Sequence, residues 1–270
     1  MNRQPSLVAV ITAGRSPSED DPLPAYTHGA SKALIPIGGR PMIAHVVAAI
    51  ASSRYVRHVA IVALDPATPV EFPIPVDHIP DTGSMLDNIA AGLQHAQNRY
   101  PSLDAILLSS SDIPTVTPSI VDAFVEECFR TDHEIYYSVV ARAVMERRFP
   151  GSRRSYVHLR EGDFAGGDML VIRPGLLLRQ RALWQRLAAA RKHALRQASM
   201  FGIWPLLRLL TRRMSLEEAE QRASRALGVR GRAVPCPYAE IAMDVDKPFQ
   251  LEIVRAEIEA RIADSPPARC

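Results

Sequence analysis

The sequence predicts an α/β fold: a mostly parallel, Rossmann-like sheet flanked by helices, with a helical insertion. Three observations predict it. Short apolar, β-branched runs alternate with helical periods through the first half of the chain, the pattern of parallel strands joined by crossover helices. Two of those runs end in polar loops, at the edge where open α/β sheets bind ligands. The 270 residues, 47% of them apolar, can fill the core of one such domain.

Each element follows from its residues. Residues 8–12 (VAVIT) read as a buried strand that runs into Ala13-Gly14-Arg15. Residues 41–52 read as a helix with Pro41 in its first turn. Residues 58–64 (HVAIVAL) are a second buried strand, and the Pro-rich stretch 65–80 is extended, with room for a short edge strand. Residues 84–99 carry a helical period through Met85, Ile89, Leu93 and Ala96. Residues 105–109 (AILLS) are a third buried strand that emerges at Ser111-Asp112-Ile113-Pro114. Residues 118–130 form a helix with Thr117 as N-cap.

In the second half, residues 134–141 (EIYYSVVA) read as a strand, and residues 155–160 and 167–172 as two more, forming a side ribbon. Residues 175–227 are mostly helical, broken near Gly202 and Pro205, and 216–227 form an amphipathic helix capped by Ser215. A last strand spans 234–243, a closing helix 249–262, and the tail frays.

A net charge of +3 conceals an asymmetry: between Arg173 and Arg232 stand thirteen arginines and Lys192 against Glu217, Glu218 and Glu220. Such a block suits an anionic partner. It is equally compatible with a solvated helical face, a lid over a phosphorylated ligand, peripheral contact with an anionic membrane surface, or a homodimer interface. No nucleic-acid-binding module is visible, so nucleic acid is not an expected partner. Cys128, Cys236 and Cys270 show no zinc or disulfide spacing, which suits a reducing compartment. No run has the length of a spanning helix and no secretory signal is visible, so a cytoplasmic location is expected.

The chemistry concentrates in three segments. Gly14 lets the backbone approach a ligand closely, and turn amides cradle phosphate oxygens. Lys32, after a polar loop, offers a point charge suited to polyphosphate. Neither GxGxxG nor GxxxxGK[ST] occurs, which disfavours a dinucleotide-binding dehydrogenase and a P-loop enzyme. Asp112 stands where a strand emerges, suited to Mg²⁺ held by few carboxylates plus substrate phosphates, or to capping a turn. In Asp244-Val245-Asp246 the two carboxylates are read as pointing to opposite faces, so one of them is expected to join Asp112.

Together these segments resemble the MobA-like NTP transferases of the glycosyltransferase-A type fold. The resemblance rests on Thr12-Ala13-Gly14-Arg15, the run from Lys32-Ala33-Leu34 through Gly39-Arg40-Pro41, Ser111-Asp112-Ile113-Pro114, and Asp244-Val245-Asp246-Lys247-Pro248. Gly166-Gly167-Asp168 resembles the Gly-Gly-Asn such proteins place near the acceptor, and Gly83-Ser84 with Asn88 their base-side segment.

The resemblance implies a single nucleotidyltransferase domain over residues 1–264, including a basic insertion at about 175–230, and a tail at 265–270. It implies nucleotide binding by Ala13, Gly14, Arg15, Lys32, Gly83, Ser84 and Asn88, with Lys32 and Asp112 catalytic. Mg²⁺ would sit on Asp112 and Asp246, and Gly167 and Asp168 would face an anionic small-molecule acceptor whose phosphate or hydroxyl attacks the α-phosphorus of the NTP and releases pyrophosphate. Two alternatives stay open: a nucleotide-sugar-dependent glycosyltransferase and a catalytically silent nucleotide-binding module.

Overall fold

The structure is a computed structural model that describes residues 4–14, 23–27, 30–179 and 214–264. Arg15, the middle of the basic insertion and the tail lie outside the described residues.

One eight-stranded sheet organises the chain. Its strands are β1 (Leu7–Thr12), β4 (Val56–Val62), β5 (Val76–Ile79), β6 (Ala105–Ser110), β7 (Ile135–Ala141), β8 (Val157–Leu159), β9 (Gly162–Ile172) and β10 (Gly231–Cys236). The order across it is β10-β7-β9-β6-β1-β4-β5, with β8 paired to β9. A separate two-stranded ribbon joins β2 (Pro36–Ile37) to β3 (Arg40–Pro41). In the large sheet β5, β4, β1 and β6 run parallel, as do β7 and β10, and β9 runs antiparallel between β6 and β7.

The helices are α1 (Met42–Ala51), α2 (Met85–Arg99), α3 (Pro118–Cys128), α4 (Arg142–Arg148), α5 (Pro174–Arg179), α6 (Leu216–Leu227) and α7 (Pro248–Asp264). Alternation along β1 explains the layers. Leu7, Ala9 and Ile11 enter the larger core with α1, α3 and α7, while Val8 and Val10 enter the smaller one with Leu93 and Ala96 of α2. Local signals set the helix starts: Ser84, Thr117 and Ser215 each accept a backbone N–H at an N-cap, and Ser215 with Glu218 completes a capping box.

Two expectations are corrected. Residues 167–172 are not part of a side ribbon: they belong to the eleven-residue β9 in the middle of the sheet, and only β8 lies off to the side. β9 is paired on both edges, to β6 and β7, and buries Ala165, Gly167, Met169, Val171 and Ile172, positions that a ribbon at the side of the sheet would leave open. The last strand ends at Cys236, before Pro237, and residues Ala239–Ala242 form a 3₁₀ turn instead. Among the described residues no helix is long and apolar enough to cross a membrane.

Candidate active site

The parallel register pairs Thr12 of β1 with Ser110 of β6, so Ala13-Gly14 and Ser111-Asp112 leave the sheet side by side. A hydrogen bond from Ser111 N to Thr12 O (3.1 Å) extends that pairing by one step. Ser31 brings the third segment in. Its hydroxyl donates to Ala13 O (2.7 Å) and accepts from Ala33 N (3.3 Å), which pins the 3₁₀ turn Lys32–Leu34 against the end of β1. The fourth segment docks through Val245 N, which donates to Asp112 O (3.0 Å).

Lys32 is the centre of this convergence. Its Nζ lies 2.6 Å from Asp112 Oδ2 and 2.5 Å from Asp246 Oδ1, and donates to Val245 O at 3.3 Å. Burial alone would lower the pKa of its ammonium; the Asp112 and Asp246 carboxylates outweigh that and hold it above the ordinary lysine value. Asp244 forms an ion pair with Arg154 while Asp246 pairs with Lys32; strict alternation would put residues two apart on one face, but this segment lies outside any strand, and its irregular backbone gives the two carboxylates different partners.

Asp168 reaches the same place from β9. The antiparallel register pairs Met169 with Ser109, which sets Asp168 one step nearer the carboxyl end of β6. Burial first, and the negative charge of Asp112 second, raise its pKa to about 7, while Arg154 and Lys32 act in the opposite direction. Gly167 is required here for close approach: a Cβ would sit 2.3 Å from Ser138 Oγ and 2.8 Å from Ile241 Cγ2. Its role is therefore in the packing that lets β9 carry Asp168 into the site.

The base-side segment forms a separate bracket. Gly83 takes φ +89, and Ser84 caps α2. Asn88 Oδ1 accepts from Thr82 N (2.8 Å) and Thr82 Oγ1 (2.7 Å), while its Nδ2 donates to Asp81 Oδ1 (2.9 Å). The Asn88 amide thus shapes the loop. A Cβ on Gly14 would lie 3.3 Å from Asn88 Nδ2, so the bracket and the first loop touch. Beside them, beyond the ends of β4 and β5, a cavity of about 570 Å³ is lined by residues that include Ser31, Ala63, Asp65, His78 and Asp81.

Sequence reasoning missed three residues that build this edge. Ser31 reads as loop polarity. Gln250 in α7 accepts from Asp246 N (3.0 Å) and donates to Ser152 O (3.2 Å), tying the carboxylate segment to the turn before Arg154. Arg154 reads in sequence as half of a surface doublet; only its neighbours in space set it apart.

The described charged side chains that act on one another here are four carboxylates, Asp112, Asp168, Asp244 and Asp246, against two cations, Lys32 and Arg154. Asp112 Oδ1 and Asp168 Oδ2 are enclosed without hydrogen-bond partners. A surplus of negative charge and a free carboxylate oxygen fit a divalent cation that takes its remaining ligands from phosphates and water. Among the described residues no three His, Cys, Asp or Glu side chains converge at metal-ligand spacing.

A lysine and an aspartate at the carboxyl edge of a mostly parallel Rossmann-like sheet, with a cavity beside them, fit the class of nucleotidyltransferases. A family model for the MobA-like NTP transferase domain matches residues 9–224, and the chain belongs to that family. The match ends before Asp244 and Asp246, which the fold returns to the site. A hypothetical transferase from Thermus thermophilus is 33% identical, with a TM-score of 0.78 over 92% of this chain and 100% of that one.

More distant structures share the fold. CMP:2-keto-3-deoxy-manno-octonic acid synthetase, complexed with CTP, is 15% identical with a TM-score of 0.54 over 96% of this chain and 100% of its own. The 2-C-methyl-D-erythritol 4-phosphate cytidylyltransferase of Thermus thermophilus is 17% identical with a TM-score of 0.52, again over 96% and 100%. No curated protein matches the chain.

Proposed function

We propose that the protein transfers a nucleoside monophosphate from an NTP to a phosphorylated small-molecule acceptor and releases pyrophosphate. The observation that carries this reading is the ammonium of Lys32, held between Asp112 and Asp246 where β1 and β6 end, with the cavity beyond β4 and β5 on one side and Asp168 of β9 on the other. An acceptor phosphate oxygen attacks the α-phosphorus; that P–O bond forms as the bond to the β-phosphate bridging oxygen breaks, and pyrophosphate carries away the electron pair. An ionised phosphate needs no base, so positioning and charge stabilisation supply the catalysis.

The Ala13-Gly14 backbone and Arg15 would meet the triphosphate, with Lys32 stabilising charge on the transferred group. Gly83 and Ser84 would border the nucleotide, Asn88 bracing their loop. Asp112 and Asp246 would hold Mg²⁺, which supplies positive charge against the triphosphate. Asp168, on the strand that Gly167 packs in place, would border the acceptor. What supports nucleotidyl transfer over glycosyl transfer from a nucleotide sugar is the fixed lysine, which suits a triphosphate. Two buried thiols, Cys128 and Cys236, suit a cytoplasmic setting.

The test is a pyrophosphate-release screen of the four NTPs with Mg²⁺ against sugar phosphates, polyol phosphates and phosphorylated cofactor precursors. At least one NTP–acceptor pair should release pyrophosphate in step with acceptor consumption. Sugar transfer from a nucleoside diphosphate sugar, with no NTP used, would overturn the reading.

A further inference from the structure

Arg154 is the second cation of the edge. The chain reaches it through an unusual turn: Gly151 has φ +78, and Arg153 has φ +49, a left-handed conformation that a side chain adopts at a cost. Ser152 between them is buried, and its carbonyl is held by Gln250 Nε2 (3.2 Å). The turn separates the two arginines. Arg153 goes outward over the ring of Phe249, 5.3 Å from its centroid, while Arg154 goes inward to Asp244.

Its surroundings are those of a recognition group. The Arg154 side chain is only 14% exposed, and its Nε is enclosed with no hydrogen-bond partner. Its charge acts on Asp168, Tyr137 and Tyr156, all on the β7–β9 side, away from the cavity beyond β4 and β5. Tyr137, 41% exposed, lies against the bare backbone of Gly166, where a Cβ would meet its hydroxyl at 2.1 Å. A planar guanidinium with a free N–H, beside an open aromatic face, is matched to an anion with two or more oxygens.

We propose that Arg154 recognises the phosphate monoester of the acceptor, and that Asp244 occupies it in the ligand-free protein as an internal stand-in for that anion. The proposal rests on the nucleotidyltransferase reading, and it assigns the acceptor subsite to the β7–β9 side. Asp244 thereby neutralises an enclosed cation that would otherwise be left unpaired. Incoming phosphate competes with Asp244 for the guanidinium and also uses the idle Nε.

An internal competitor predicts opposite effects from its two partners. Inorganic phosphate is titrated calorimetrically into the full chain, with the triphosphate site filled by the Mg²⁺ complex of an α,β-methylene NTP analogue. Arg154→Lys, which keeps the charge and loses the fork, should weaken phosphate binding about ten-fold. Asp244→Asn should strengthen it by roughly three-fold or more, because the competing charge is gone. Wild-type affinity in Arg154→Lys, weaker binding in Asp244→Asn, or no phosphate binding by the wild type would overturn the proposal. Should Arg154→Lys fail to fold, Asp244→Asn still decides. Failure of the nucleotidyltransferase reading shows separately, as no binding of any NTP analogue, and phosphate titrated without analogue then still compares the variants.

Discussion

Over β5, β4, β1 and β6 the strands run parallel, and each delivers a loop to the same edge; the first aspartate comes from the segment that directly follows β6, and the lysine from a 3₁₀ turn that Ser31 pins to the end of β1. Over β9, β7 and β10 the pattern changes. There an antiparallel strand brings Asp168 from within its own length, a left-handed turn brings Arg154, and a segment from near the C-terminus brings Asp244 and Asp246. The first half positions backbone and one cation, which on the proposed reading meet the triphosphate. The second half assembles side chains from distant parts of the sequence, which on that reading border the acceptor. A binding site for a common ligand can thus reside in a local motif, while selectivity arises from long-range packing.

The sharpest test of the boundary between the halves is Asp112, which both share. Asp112→Ala should leave the thermal unfolding transition cooperative and reduce turnover by about a thousand-fold or more, as removal of a metal-holding carboxylate does. Undiminished Mg²⁺-dependent turnover in the folded variant would take Asp112 out of the site.

Lys32→Met comes next in size. Loss of the cation should lower kcat by about a hundred-fold. Its position in a short turn suggests a negligible folding cost, but the structure says otherwise, because Asp112 and Asp246 then face each other unpaired. A cost of about 1–3 kcal/mol is expected in urea unfolding, less than for a fully buried pair because Asp246 is half exposed. A normal rate with normal NTP affinity would show the lysine to be structural.

The difference between the halves also explains what could be read in the sequence. Asp112 and the Gly14 loop were legible because each follows a recognisable strand, and Lys32 as a single lysine between the polar loop and the next apolar run; the split of Asp244 from Asp246 depends on an irregular segment that two-residue alternation does not predict. The place of β9 was not, because strand order in a sheet is set by packing across more than fifty residues of chain, such as the fit of Gly167 against Ser138. Ser31, Gln250 and Arg154 act through partners remote in sequence, and no local pattern marks them.

Asp168 tests the second half alone. Its folded-state pKa of about 7 stands above that of an ordinary aspartate, so the fold disfavours the charged form. The protonated group contributes fully at low pH, and that contribution is lost as pH rises from about 4 through 7. Asp168→Asn, nearly the same in shape, should therefore be more stable than wild type in a chelator at pH 8, by roughly 2–4 kcal/mol, and by less at pH 5. A pH-independent difference in urea midpoint would show that burial and Asp112 do not act on this carboxyl as the geometry implies.

The smallest effect comes from backbone strain, and it compares the halves directly, since among the described residues each carries one non-glycine residue with positive φ. Ala63 (φ 64) ends β4 and lines the cavity; Arg153 (φ 49) turns the chain toward Arg154. Glycine relieves the left-handed strain at either position, by about 1 kcal/mol, and adds freedom to the unfolded chain, which takes back part of it. Ala63→Gly removes only a methyl group, so a net gain of about 0.5 kcal/mol is expected, with little change in NTP affinity. Arg153→Gly also removes the cation over Phe249, which offsets the relief, and its stability should stay within about 0.5 kcal/mol of wild type. Its larger consequence should fall on phosphate binding, because the turn that aims Arg154 is loosened. A loss of NTP affinity in Arg153→Gly matching its loss of phosphate affinity would mean that the two halves of the edge are one mechanical unit.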